Sequence, residues 1–297
     1  MKGAQWSRPP AAGLIEALLA EDVPGTDLTT EALGISARQG RMEFRARGPT
    51  TVAGIDIAAA MIRQAGADAG LATSPGNVAA KGELLLSATG PAGALHLAWK
   101  AAQTLTEVLS GIATAAGALV DAVSAVNPAV RVACTRKTVP LARALSTMAI
   151  RLGGAVPHRL GLLETILVFP EHRAFMPKMG LQQIALKLRR EAPEKKLGIE
   201  VNTVEEAREA IGAGFDIVQL EKMAPADVAA VASAARASGS NVPVAAAGGI
   251  DPANAGDYVR AGAGLIVSSW PYTAKPADVA VSIEDIDSST LSVNELW

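Results

Sequence analysis

The sequence predicts an α/β fold in two parts, a mixed α+β unit over the first third and then strands and helices alternating around a parallel sheet. Three observations carry this. From Val130 onward, short apolar runs alternate with helix-period segments. In the first third, Arg41–Arg47 instead alternates polar and apolar residues, the period of a half-exposed strand. Hydrophobic residues make up 49% of the chain and aromatics only 3%, which implies a sizeable core of Ala, Val, Leu and Ile. At 297 residues there is room for one large domain or two modest ones, on a scale of about 100–200 residues each.

The elements follow in order. A helix is expected around Leu14–Ala20, then an acidic, turn-rich segment from Glu21 to Thr30. After the Arg41–Arg47 strand, Thr51–Ala53 extends the sheet and a helix covers Asp56–Gln64. Leu84–Ser87 is the next strand, with Gly90 and Pro91 marking the turn after it. A long helix runs from about Leu95 to Ser124, with Gly111 and Gly117 as candidate breaks.

Six apolar runs then read as strands: Val130–Cys134, Thr165–Phe169, Gly198–Val201, Ile217–Leu220, Val242–Ala246 and Leu265–Ser268. Helices fit between them at Val139–Leu152, Met179–Arg190, Val204–Ala213, Pro225–Ala237 and Pro252–Ala261. This rhythm argues for a parallel sheet, and periodicity alone leaves barrel and open sheet equally open. The near-repeat of Ala213–Leu220 and Ala261–Ser269 sets a helix-ending Gly before an apolar strand, as αβ loops do. Asp287–Trp297 is polar and acidic without an apolar period, and is expected to fray.

Composition excludes several function classes. A formal net charge of −2 gives no chain-wide attraction for nucleic acid or an anionic membrane, so an anionic ligand must be gathered by a local basic cluster. The single cysteine, Cys134, excludes an intrachain disulfide framework and a multi-cysteine metal site. No uncharged run reaches the ~18 residues of a membrane span, and Met1–Pro10 leads into no signal-type core. The expectation is a cytoplasmic protein.

Four constellations can carry chemistry. Arg136-Lys137-Thr138 follows the strand ending at Cys134, where α/β proteins place ligand-binding groups, although a solvated basic pair gives the same pattern. His158-Arg159 stands in the loop before the Thr165 strand, where the histidine donates to an anion when protonated or moves a proton. Glu200 and Glu221 end successive strands. They can hold Mg²⁺, bind sugar hydroxyls or stabilise a cationic sugar carbon, or they form salt bridges to Arg136, Lys137 or Lys222. Gly248-Gly249 precedes a helix expected to open at Asp251-Pro252, where backbone N–H groups close on a phosphate, and Ser268-Ser269 after the next strand can complete that pocket.

These stretches resemble the quinolinate phosphoribosyltransferase (nicotinate-nucleotide pyrophosphorylase) family over nearly the whole chain. The likeness begins at Leu19–Leu33 (LAEDVPGTDLTTEAL) and runs through Leu109–Thr114 (LSGIAT). It is sharpest across Thr135–Leu145 (TRKTVPLARAL) and Gly153–Val168 (GGAVPHRLGLLETILV). GIEVNTVEEA, AGFDIVQLEKM and AAAGGIDPAN then follow in family order. The resemblance implies an N-terminal α/β sandwich domain over residues 1–109 and an open six-stranded α/β barrel over 110–272, with 273–297 packing back on the first domain or fraying. It implies a homodimer or higher homo-oligomer in which one subunit closes the other's barrel mouth. It also implies transfer of 5-phosphoribose from phosphoribosyl pyrophosphate to a carboxylated N-heterocycle, with Mg²⁺ accompanying the pyrophosphate. By position, Arg136, His158 and Arg159 match the binders of the base's carboxylate. Lys137, Glu200 and Glu221 match the phosphoribosyl and metal side, and the Gly248-Gly249 loop matches the phosphate cradle.

The departures narrow the resemblance. Where the family has Lys-Asp-Asn-His, this chain has Phe169-Pro170-Glu171-His172. Lys100 stands where an Arg reaches across the dimer interface, Leu220-Glu221-Lys222 replaces Leu-Asp-Asn, and Ala247-Gly248-Gly249 replaces Ser-Gly-Gly. The pattern is similar to the ModD branch, associated with molybdenum transport. With a lysine's charge missing at Phe169, quinolinate is expected to bind poorly and a less anionic aromatic base to stack on the ring. Two rivals remain: a quinolinate enzyme of NAD biosynthesis forming nicotinate mononucleotide, CO₂ and pyrophosphate, and a non-catalytic anion-binding protein in molybdate handling.

Overall fold

The computed structural model describes residues 12–286, so Met1–Pro10 and the expected frayed end at Asp287–Trp297 lie outside the described residues. The chain forms two compact units, one from the residues up to Thr114 together with those from Ala274 on, the other from Ala115 to Thr273.

The first unit begins with α1 (Ala12–Asp22) and α2 (Leu28–Ala32). The second helix corrects the turn expected up to Thr30: the Asp27 carboxylate accepts from the Thr29 N–H at 3.1 Å and caps a short helix there. Then come β1 (Gln39–Ala46), β2 (Thr50–Thr51), α3 (Ile55–Gln64), β3 (Asp68–Leu71), β4 (Val78–Ala79), β5 (Leu84–Pro91) and α4 (Ala92–Ser124). In β1, Gly40, Met42, Phe44 and Ala46 face inward, as the period of two predicts. This strand pairs antiparallel with β5 on one side and with the strand Val279–Asp285 on the other, and β5 carries β3 beyond it. The buried face of α3 (Ile55, Ala58, Ala59, Met61, Ile62) packs against β3 and β5.

Three expectations fail here for identifiable reasons. Thr50–Thr51 pairs with Val78–Ala79 in a separate two-stranded sheet and does not extend the sheet of β1. Gly90 and Pro91 are the last residues of β5, paired with Gly40 and Gln39, and not a turn. Pro91 sits at the strand's end, where a missing N–H is tolerated. And α4 runs unbroken through Gly111 and Gly117. Gly111 has another role: a Cβ there would lie 2.3 Å from the Lys275 carbonyl, so glycine lets the segment after Ala274 cross the helix closely. By length and hydropathy α4 is a helix that could cross a membrane, yet Leu95, Ala98, Ala102, Ala113, Ala116, Leu119 and Val123 on it are fully buried. It is a core helix.

The second unit alternates β6 (Arg131–Cys134), α5 (Arg143–Leu152), β7 (Val156–Pro157), β8 (Ile166–Val168), α6 (Pro170–Arg173), α7 (Leu181–Glu191), β9 (Leu197–Val201), α8 (Val204–Gly212), β10 (Ile217–Glu221), α9 (Pro225–Ala237), β11 (Val244–Ala247), α10 (Ala255–Arg260) and β12 (Leu265–Ser268). All pair in parallel in the order β7-β6-β12-β11-β10-β9-β8. The sheet curls, with β12 paired to β6, while β7 and β8 form its two edges and do not pair with each other. It is an open barrel. It has seven strands where the sequence pattern showed six, because the two-residue β7 is too short to leave a period. Inside, Ala133, Ala245, Ala247 and Val267 form a floor of small side chains.

Candidate active site

Parallel strands deliver their C-terminal ends to one rim. Here that rim surrounds a cavity of about 780 Å³ lined wholly from the second unit. Arg136 and Lys137 reach it from the end of β6, His158 and Arg159 from β7, Phe169 from β8, Glu200 from β9, and Glu221 from β10. Gly248 and Gly249 come from the end of β11, Ser268 and Ser269 from β12. Of the residues singled out in the sequence, Thr138 and Lys100 are outside this lining. Lys100 belongs to the first unit, exposed on α4, with its ammonium 4.1 Å from the Trp99 ring centroid and 3.4 Å from Gln103 Oε1.

In the cavity the arginines come from the β6–β7 side and the carboxylate pair from the β9–β10 side, with the Lys137 charge reaching Glu200 and Lys222 following Glu221. Burial first, and the nearby charge of Arg136 second, lower the proton affinity of Arg159. Burial, then the charges of Arg159 and Arg136, push His158 down to about 4, so its imidazole is neutral at pH 7. Of the two roles the sequence left open for His158, donation as a protonated imidazole and proton transfer, the lowered proton affinity weighs against the first. Arg159 holds a left-handed backbone (φ 66°), donates from Nη1 to the Thr165 carbonyl at 3.3 Å, and has a buried Nε with no partner among the described residues. Its guanidinium carbon is 5.9 Å from the Phe169 ring centroid, and His172 stacks on that ring at 5.8 Å. The Phe169 N–H donates to His172 Nδ1 at 3.0 Å, which fixes the pair.

Across the cavity stands the carboxylate pair. Burial first, and the neighbouring Glu221 second, hold the Glu200 carboxyl above its ordinary range, while the Gln219 amide donating from Nε2 at 2.6 Å opposes the rise. Neither glutamate forms an ion pair among the described residues, so the salt bridges to Arg136, Lys137 or Lys222 that the sequence left open are absent there. Two carboxylates without three- or four-ligand company do not build an all-protein metal cage. They do suit Mg²⁺, which takes one or two carboxylates and completes its shell with water and substrate phosphates.

The glycine loop is held by side chains. Asn254 Nδ2 donates to the Gly249 carbonyl at 2.9 Å, and the Asp251 N–H donates to Asn254 Oδ1 at 3.0 Å. Helix α10 starts at Ala255, not at Pro252 as expected, because the Asp251 carboxylate draws the N–H groups of Ala253 and Asn254 into a turn. The donors facing the cavity therefore come from the loop and not from a helix start. Gly248 (φ 89°) is required sterically: a Cβ would lie 2.5 Å from Lys222 Cγ and 2.9 Å from Glu221 Oε1. Ser268 is buried with its hydroxyl donating to the Ile250 carbonyl at 2.6 Å, which leaves Ser269 as the freer hydroxyl.

The sequence reading passed over Arg143, Glu171, Gln219 and Asp251, all of which line the cavity. Gln219 had a readable signal, lying two residues before Glu221 and so on the same face of β10.

Residues 27–110 match the N-terminal domain, and residues 112–282 the C-terminal domain, of quinolinate phosphoribosyl transferase. The chain belongs to that family. It is 48% identical over 246 residues to a protein of Rhodobacter capsulatus named as the pyrophosphorylase ModD, covering 83% of this chain and 95% of that one. A protein of Escherichia coli O6:H1 with the same name is 38% identical over 271 residues, covering 91% and 95%. Among solved structures, the nicotinate-nucleotide pyrophosphorylase of Francisella tularensis superposes with a TM-score of 0.84 at 24% identity, over 92% of this chain and 95% of that one, and so shares the fold. Family membership makes the chain an enzyme of the phosphoribosyltransferase kind, and its cavity the place to look for that chemistry.

Proposed function

We propose that the protein transfers 5-phosphoribose from phosphoribosyl pyrophosphate to the ring nitrogen of a carboxylated heterocycle, releasing pyrophosphate, as a pyrophosphorylase of the ModD kind. The observation that carries this is the arrangement of charge in one cavity, with arginines on the β6–β7 side and a carboxylate pair on the β9–β10 side. In the reaction a ring-nitrogen lone pair forms the new bond to the anomeric carbon. The bond to pyrophosphate breaks and its electron pair leaves with that group. Positive charge grows on the sugar and negative charge on the leaving oxygen, so a site holding both cations and carboxylates stabilises both ends. Glu200 and Glu221 face the sugar, Lys137 the leaving group, and Arg136 with Arg159 grips the base's carboxylate, with His158 as a neutral donor. The Gly248-Gly249 loop, Ser269 and the mobile point charge of Lys222 take the 5-phosphate. Glu200 and Glu221 would hold Mg²⁺, whose part is to neutralise the pyrophosphate as it leaves.

Phe169 closes the base end as an apolar wall, and Lys100 is contributed by a second copy in a homodimer. The test is pyrophosphate release from phosphoribosyl pyrophosphate with a panel of carboxylated heterocycles. Turnover of a member other than quinolinate supports this reading. Efficient conversion of quinolinate to nicotinate mononucleotide would move the protein into NAD biosynthesis. Molybdate binding without transfer to any heterocycle would make it an anion carrier.

A further inference from the structure

Gln219 is the most buried polar residue of the cavity lining together with Ser268, each 4% exposed. It sits within β10 directly opposite Glu200 on β9, one pleat deeper than Glu221. Its Nε2 donates to Glu200 Oε2 at 2.6 Å. A carboxylate only accepts, so this contact fixes the amide with its nitrogen toward Glu200 and its carbonyl oxygen turned away. That Oε1 is buried and has no partner among the described residues. Its register neighbour on β11 is Ala245, whose side chain donates nothing, and Ala247, Val267 and Leu167 also line the cavity. Buried carbonyl oxygens are nearly always satisfied, and one that is not, inside a ligand cavity, is an acceptor awaiting a donor.

We propose that Gln219 determines acceptor specificity: its side-chain carbonyl receives a hydrogen bond from an N–H group on the heterocycle, selecting a ring that carries such a donor beside its carboxylate. This rests on the phosphoribosyl-transfer reading above. Sugar hydroxyls are the other donors available, but Glu221 and the free oxygen of Glu200 already present carboxylate acceptors to them. The apolar alanine and valine floor beside Gln219 suits a flat ring better than a polyol. A ring with carboxylates alone has no hydrogen to offer, and it would set acceptor oxygen against acceptor oxygen in a buried place. A site built around such a bond rejects the analogue that lacks it by roughly 10- to 100-fold.

The experiment is calorimetry on the full chain saturated with phosphoribosyl pyrophosphate and Mg²⁺. Pyridine-2-carboxylate is titrated against its 3-, 4-, 5- and 6-amino isomers. At least one isomer is expected to bind 10-fold or more tightly than the parent. Gln219→Met and Gln219→Leu, two apolar near-isosteres, also free the Glu200 carboxylate, so each is read by its own ratio of isomer to parent affinity, which is expected to fall to about one. No isomer outbinding the parent, or an advantage that survives in both variants, overturns the proposal. So does a loss of ribose 5-phosphate affinity in the variants without a change in ring preference, because that assigns Oε1 to the sugar. If wild-type protein fails to bind phosphoribosyl pyrophosphate at all, the transfer reading itself has failed, and the specificity role falls with it.

Discussion

At the scale of single residues, the cavity's behaviour with pH turns on His158. Its pKa is pushed down from 6.5 to about 4 by burial and by two arginines. The unfolded chain therefore takes up a proton on falling below pH 6.5, while the folded chain resists until about 4. Stability contributed by the neutral imidazole is fully present above pH 6.5 and is lost as pH falls toward 4, by up to about 3 kcal/mol. His158→Asn, which cannot charge, is expected to flatten that part of the curve in urea unfolding between pH 7 and pH 4. An unchanged slope would put the acid sensitivity elsewhere. The same half-buried arginines make Phe169 informative. Restoring a cation there with Phe169→Lys is expected to raise affinity for quinolinate at least tenfold, read by calorimetry, since pairing a buried carboxylate is worth about 2 kcal/mol or more. It should weaken whichever ring the wild-type protein prefers. The residues that follow apolar runs, Arg136, Lys137, Glu200 and Glu221, could be picked out of the sequence because a polar group at a strand's end breaks the pattern visibly. Gln219 could not be weighed that way. Its chemistry depends on a hydrogen bond across to β9 and on what fails to meet its carbonyl, and neither is a property of sequence.

At the scale of elements, hydrophobic period marked the long pieces and failed on the short ones. α4 and the strands β9 to β12 stand within a few residues of where their apolar runs predicted them, since a strand buried on both faces is a continuous run. β3, β4, β7 and the strand Val279–Asp285 were missed: β4 and β7 have only two residues each, β3 is mostly exposed and carries no apolar run, and in the last the acidic residues hide Val279, Val281 and Ile283 at alternate positions. Glycines misled for a related reason: their cost in a helix is local, but their purpose is tertiary. Gly111→Ala should therefore destabilise the protein by about 2 kcal/mol or more, despite alanine's better helix propensity, because the new Cβ meets the Lys275 carbonyl. Gly212→Ala, at the end of α8 with open space around it, should be neutral or stabilising by up to about 1 kcal/mol. Thermal melts of the two variants make the comparison, and equal effects would mean that the close passage at Gly111 carries no load.

At the scale of the whole molecule, the second unit carries a group of exposed apolar side chains on the segments that follow its strands. Val139 and Leu141 follow β6, Leu160, Leu162 and Leu163 follow β7, and Phe175 follows α6, all exposed, with Leu163 and Phe175 at 90%. Exposed apolar side chains in such number are the mark of a surface that another surface meets. The homodimer in our proposal supplies that surface, and with it the ammonium of Lys100. In a two-fold pair each cavity would then combine Glu221 of one chain with Lys100 of the other. Complementation decides it. Lys100→Ala and Glu221→Gln should each lose most transfer activity when prepared alone. Mixed and allowed to exchange subunits, they form some dimers in which one cavity has an intact Glu221 facing an intact Lys100, and pyrophosphate release should recover. If Lys100 acts within its own chain, every cavity in the mixture keeps one defect and no activity returns. Recovery that grows with the time given for exchange, and vanishes when the subunits are crosslinked before mixing, would place the lysine in its partner's active site.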